Sequence, residues 1–150
     1  ISEMVELANA AKIPVLVDPK GYDYSRYKGA KVITPNRSEL AQVVGTWRSE
    51  SELTNKAESL RHSLGLQGLL LTRSEDGMTL FEPNRVTSVP ALAREVTDVT
   101  GAGDTVIATL ALMIASGLDL LDAMIIANHA GGLVVSKFGT ASLSYEELCK

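Results

Sequence analysis

Cysteine is almost missing from this chain: Cys149, beside the C-terminus, is the single one among 150 residues. One thiol closes no internal disulfide, which fits a reducing compartment, and a cytoplasmic location is the expectation. The two histidines, His62 and His129, stand far apart in sequence. With one cysteine they make no credible transition-metal site. Nor is there a basic excess. The formal net charge is −4, so no global field draws nucleic acid or an acidic membrane surface, and a polyanionic ligand needs local donors or a metal. The most apolar run, residues 106–115, is too short to span a bilayer and stops at Ser116-Gly117. No signal peptide, repeat or low-complexity stretch is visible. The first residue is Ile1 rather than Met, so the chain is expected to begin inside a longer protein. Two phosphate-binding strings are missing as well. There is no Gly-x-x-x-x-Gly-Lys, and Val106 stands where a dinucleotide fingerprint would have its third glycine.

What is present suits one folded domain. The composition, 45% hydrophobic and 21% charged, is ordinary for a soluble globular chain of a length that can bury a core. Met4, Leu7, Ala8 and Ala11 recur at helical spacing after a possible N-cap at Ser2. Residues 13–18 (IPVLVD) and 31–35 (KVITP) read as short buried strands, each followed by a turn or stopped by proline. Helices are expected over 36–44, ending at Gly45, and over 52–64, ending at Gly65. In the second, Leu53, Ala57, Leu60 and Leu64 share a face. GLLLT (68–72) is a third buried strand, and MTLFE with RVTSV form a hairpin turning at Pro83-Asn84. Two helices follow over roughly 104–116 and 119–136, with the Met and Leu residues of 110–126 as core, and a short one starts at Ser144. This alternation predicts an α/β fold with a mostly parallel sheet covered on both faces. Ligands in such sheets bind where strands end, here at 18–21, 34–39 and 72–77, with 98–104 as a fourth loop.

The loop at 98–104, Asp-Val-Thr-Gly-Ala-Gly-Asp, opens an apolar helix. Gly101 and Gly103 let a ligand approach the backbone, and N–H groups at a helix start attract an anion such as phosphate. Asp104 at the rim makes sense as the acceptor of a proton from a hydroxyl attacking that phosphate. It reads equally as a plain N-cap. Asn36 with Glu39 likewise fits a capping box as well as a ligand site. Lys20, Arg26, Lys28 and Lys31 are read as a solvated basic face, with Lys20, in the strand-end turn, as the exception that can meet a phosphate.

These motifs resemble one family. DVTGAGD is similar to the signature of the ribokinase-like (PfkB) carbohydrate kinases, usually Asp-Thr-x-Gly-Ala-Gly-Asp, here with the order Asp-Val-Thr. TPNRSEL (34–40) resembles the family's Asn-x-x-Glu motif. LLLTRSEDGMTLF (69–81) resembles its strand ending in Thr-x-Gly-x-x-Gly, with Ser74 where glycine is commoner. Within the family, the segments at 15–40, 96–111 and 137–148 look most like the kinase half of bifunctional heptose-7-phosphate kinase/ADP-heptose synthase proteins.

The resemblance implies a three-layer ribokinase-like fold, of which residues 1–150 are the C-terminal, ATP-binding portion without the sugar half or β lid. It implies ATP-dependent phosphorylation of a sugar hydroxyl, with the anomeric hydroxyl of D-glycero-D-manno-heptose 7-phosphate as acceptor, in ADP-heptose and lipopolysaccharide core synthesis. Asp104 would be the base, and the amides of Gly101, Ala102 and Gly103 the anion hole. Asn36, Arg37, Ser38 and Glu39 would serve ATP, with Glu39 holding Mg²⁺ through water. Thr72 and Arg73 would lie along the phosphate tail, and Asn128 would face the nucleotide. Asp98, Thr100 and the loop near Gly139 would border a monovalent-cation site. A sugar phosphate is the expected partner, with no nucleic acid and no membrane, and association through exposed edges would hide apolar faces. Efficient turnover by this chain alone is not expected. Another sugar or nucleoside kinase of the family, or a non-catalytic nucleotide-binding module, remain the alternatives.

Overall fold

The computed structural model describes residues 1–92, 98–137, 139 and 141–149. Positions 96, 97, 138 and 140 of the motifs quoted above therefore lie outside the described residues. The chain divides into two compact units, residues 1–73 with 79–87, and residues 74–78 with 88–150.

Along residues 1–89 the order is α1 (Ser2–Ala10), β1 (Leu16–Val17), a 3-10 turn (Ser25–Tyr27), β2 (Val32–Ile33), α2 (Arg37–Val44), α3 (Glu50–Leu64) and β3 (Gly68–Thr72), followed by a second 3-10 turn (Ser74–Asp76) and the hairpin β4 (Met78–Glu82) and β5 (Arg85–Val89). The five strands lie in sequence order, β1-β2-β3-β4-β5. β1, β2 and β3 are parallel, with Leu16 opposite Val32 and Val32 opposite Gly68. The link from β3 to β4 is too short for a parallel crossover. The sheet is thus mixed: parallel where helices cross over, and a meander where the chain turns directly.

β1 is shorter and less buried than its apolar run suggests, because it lies at the sheet edge. β3 is buried from Gly68 to Leu71. Ile33, Leu40, Leu53, Ala57, Leu69, Leu71 and Phe81 close the core, and Trp47 packs partly buried against it.

Two helix readings need correction. α1 is capped by Ile1 rather than Ser2, and its apolar stripe faces out, with Met4 72% and Leu7 65% exposed. The inward face is the other one. Ser2 Oγ donates to the Arg26 carbonyl, Val5 is buried, and Asn9 Nδ2 donates to the Gly29 carbonyl at 2.9 Å. α3 starts at Glu50, because Ser49 Oγ caps it by accepting from the Glu52 N–H at 3.1 Å.

The second unit holds α4 (Ala102–Ala115), α5 (Leu120–Val135) and the short α6 (Tyr145–Leu148). Val106, Leu110 and Ile114 of α4 and Ala123, Met124, Ala127, Ala130 and Val134 of α5 are buried. The helices approach closely at Gly131, where an added Cβ would stand 3.0 Å from Val106 Cγ2. Leu112, expected in the core, is 59% exposed because it lies on the opposite side of α4.

Candidate functional site

The predicted ligand residues of the first unit come together because three parallel strands end on one side. Past β1 come Asp18, Pro19 and Lys20; past β2 come Thr34 to Glu39; β3 ends at Thr72. The Thr72 N–H donates to the Pro35 carbonyl at 3.0 Å, and Asn36 bridges Thr72 in parallel pairing. The sheet thereby carries Asn36 and Thr72 side by side to the head of α2.

α2 starts with a full capping box. The Glu39 N–H donates to Asn36 Oδ1 at 2.9 Å, and the Asn36 N–H donates to Glu39 Oε2 at 2.8 Å. Arg37 and Ser38 fill its first turn. The other oxygen of Glu39 is also engaged: Lys20 Nζ donates to Glu39 Oε1 at 2.5 Å and to Asp18 Oδ1 at 3.0 Å. The Glu39 bond is the first cause of a lysine pKa above its ordinary value, opposed by burial and supported by Asp18. The Lys20 backbone is fixed independently. Its N–H donates to Tyr27 Oη at 3.1 Å, and its carbonyl accepts from Tyr27 Oη and from the Arg26 guanidinium.

Arg73, expected along a phosphate tail, is instead clamped by Glu50. Its Nη2 lies 2.6 Å from Oε1 and its Nη1 3.0 Å from Oε2, while Nη1 also reaches Thr79 Oγ1 at 3.2 Å. A planar fork facing a carboxylate favours this two-bond pairing. Sequence reading did not assign Asp18 or Glu50. Asp18 was discernible as the acid closing a strand beside a lysine. Glu50 was hidden by the late start assigned to α3.

In the second unit the glycine loop leads into α4. Gly101 is the N-cap at φ +78, a left-handed conformation that suits glycine, and no side chain caps the helix. The capping reading of Asp104 therefore fails. Asp104 lies inside the first turn, exposed, and its side chain bonds to no described residue. The Ala102 N–H is occupied by the Val99 carbonyl at 3.2 Å, whereas the N–H groups of Gly103 and Asp104 meet no described acceptor. Gly103 is also free of steric need among the described residues: an added Cβ would find none of them within 4 Å. Glycine in a helix costs about 1 kcal/mol relative to alanine. Its presence here relieves no clash with a described residue.

Asp98, just before the loop, accepts from the Thr100 N–H at 2.9 Å and from the Gly139 N–H at 3.1 Å. Bonds from Thr100, first its side chain and then its backbone, hold its carboxyl below the usual range, and Gly139 adds to the effect. Asn128, expected to face a nucleotide, is buried and donates to the Pro90 carbonyl at 2.8 Å. Among the described residues no group of three or more His, Cys, Asp or Glu side chains forms a metal site. No described helix is long and apolar enough to cross a membrane.

Comparison with known proteins matches this architecture. A model of the pfkB family of carbohydrate kinases matches residues 1–147. D-beta-D-heptose 7-phosphate kinase of Bordetella bronchiseptica is 51% identical over 148 residues, covering 99% of this chain and 47% of that protein. The bifunctional protein HldE of Photorhabdus laumondii is 52% identical over 149 residues, covering 99% and 31%. The chain thus spans less than half the length of these relatives. Ribokinase of Arabidopsis thaliana, solved with ribose and ATP, superposes with TM-score 0.88 at 22% identity, covering 99% of this chain and 50% of that one. Phosphofructokinase-2 of Escherichia coli, solved with potassium, gives TM-score 0.87 at 18% identity, covering 99% and 49%. Those two likenesses fix the ribokinase-like fold, and the family match over nearly the whole length makes this chain a member of the pfkB family of carbohydrate kinases.

Proposed function

We propose that residues 1–150 are the ATP-binding, catalytic-loop portion of a cytoplasmic sugar kinase that phosphorylates the anomeric hydroxyl of a heptose 7-phosphate. The observation that carries this reading is the open start of α4, where Asp104 is exposed without a described partner and two first-turn N–H groups have no described acceptor. The substrate class rests on the identity of 51–52% to the two relatives with heptose kinase or HldE names.

In the reaction, the sugar oxygen bonds to the γ-phosphorus while that phosphorus parts from its bridging oxygen, releasing ADP. Asp104 receives the hydroxyl proton, and the N–H groups of the glycine loop face the charge that builds on the phosphoryl oxygens. Asn36, Arg37, Ser38 and Thr72 supply polar groups for the nucleotide, Asn128 joins them once freed from the Pro90 carbonyl, and Arg73 and Lys20 supply cations once freed from their carboxylates. Both Glu39 oxygens are engaged, and no group of three ligating side chains is described. This donor set suits Mg²⁺ carried on ATP and held through water by Glu39, rather than a metal seated in a protein cage. Bound there, Mg²⁺ would neutralise phosphate charge. The Asp98–Gly139 loop is the proposed border of a monovalent cation.

A chimera tests the assignment. With this chain replacing the matching segment of the Bordetella bronchiseptica kinase, ATP-dependent phosphorylation of heptose 7-phosphate is expected at a rate within tenfold of the parent. The acceptor itself is tested on the whole protein that carries this portion, where phosphorylation of other sugars but not of heptose 7-phosphate would overturn the substrate. A folded chimera that binds no ATP would overturn the kinase reading itself. The outward Met4 and Leu7 support the proposed association through apolar faces. Sedimentation velocity is expected to show a mass rising with concentration, and a strict monomer would remove that part.

A further inference from the structure

We infer that Lys20 is a resident counter-cation that holds the place of the divalent ion at Glu39, with Asp18 as the seat it retires to when the metal arrives. The inference rests on the proposed Mg²⁺ site and goes beyond it by naming what occupies that carboxylate beforehand.

Four observations carry it. Glu39 is fixed by the capping box through Oε2, so its carboxylate cannot swing away, and only Oε1 is free to serve another partner. Oε1 is bonded to Lys20 Nζ at 2.5 Å. The Glu39 side chain is 16% exposed and that of Asp18 33%, so two acids stand together where solvent screens them poorly. The Tyr24 hydroxyl is buried with no hydrogen-bond partner among the described residues. Burial raises its pKa, and the charges of Glu39, Tyr27 and Asp18 raise it further. Two carboxylates that share one ammonium would repel each other without a cation between them.

Lys20 is suited to leave as well as to stay. Its side chain is 64% exposed while its backbone is pinned by Tyr27 and Arg26, so the ammonium can shift without disturbing the turn. It already bonds to both acids, so release from Glu39 leaves it on Asp18 at 3.0 Å rather than stranded. A hydrated Mg²⁺ at Oε1 and the ammonium compete for one oxygen, so each weakens the other's hold. The released ammonium is then available to a phosphate oxygen carried in with the metal.

The test is a titration with Mg²⁺ alone at constant ionic strength, followed by the backbone amide resonances of Asn36 and Glu39. Lys20→Met is expected to lower the midpoint about two- to fivefold, the range for breaking a half-exposed ion pair. Lys20→Arg keeps the charge and should stay near the parent. Asp18→Asn, which leaves the ammonium only Glu39, should raise the midpoint. Added to Lys20→Met, it should raise it no more than loss of one remote charge does. Equal midpoints for the parent and Lys20→Met, or no response of these amides in either, would overturn the inference. Nucleotide binding by the parent, measured separately, tells a failure here from a failure of the kinase reading.

Discussion

Gly77→Ala is expected to leave little folded protein. Gly77 sits at φ +83, where an alanine is strained wherever it is placed. The larger cost is steric. An ideal Cβ would stand 2.0 Å from the Val89 carbonyl oxygen, 2.5 Å from the Pro90 carbonyl carbon and 2.6 Å from the Ala91 nitrogen. All three atoms are backbone, so no side-chain rotation makes room, and the end of β5 must move away. Strain and displacement together should cost about 4 kcal/mol or more, a large part of the roughly 5–15 kcal/mol that holds a domain together. Urea denaturation of soluble material should show the midpoint collapsing, with most of the variant found insoluble on expression. Gly65→Ala is the internal control. Its φ is +66, but an added Cβ has nothing within 4 Å, so only the conformational cost of about 1 kcal/mol applies. A Gly77→Ala variant no less stable than that control would show that the β5 end yields freely.

The same loop shows what sequence reading could and could not reach. The resemblance placed Ser74 where glycine is commoner, and Ser74 indeed has φ +53, the conformation glycine adopts without strain. β3, β4 and β5 were legible residue by residue, because a continuous apolar run between glycines and a Pro-Asn turn are local signals. α2 was equally plain, since its cap residues lie within one turn of each other. α1 was legible as a helix but not in its orientation. Which face turns inward depends on Arg26 and Gly29, the distant partners of Ser2 and Asn9. The cap alternative for Asp104 failed for a different reason. A glycine at positive φ starts the helix earlier than any side-chain signal shows. In the candidate site, residue types and loops were readable, but charge pairing was not. Lys20 with Glu39, and Arg73 with Glu50, join residues brought together only by strand order and helix docking.

Asp104→Asn is expected to reduce phosphoryl transfer by about 10²–10⁴-fold in the chimera, the usual effect of removing a positioned base. Stability should hardly change, because the Asp104 side chain is exposed and bonds to no described residue. An asparagine keeps the shape and accepts no proton, so the loss should fall on kcat while ATP binding persists. Gly103→Ala makes the argument sharper because stability and activity should move in opposite directions. An added methyl meets no described residue within 4 Å and removes the helix cost of glycine, so the melting temperature should rise, equivalent to about 0.5–1 kcal/mol. The same methyl would stand beside the N–H groups proposed to face the phosphoryl oxygens. By holding those oxygens away from N–H groups that the substitution leaves in place, the methyl should lower transfer about 10²-fold or more, the effect of losing a donor to developing negative charge. A loop that served only to start the helix would give a stabilised enzyme with unchanged turnover. Stabilisation combined with loss of transfer would mean that this glycine is kept at a cost to the fold because the phosphoryl group must come within reach of the main chain.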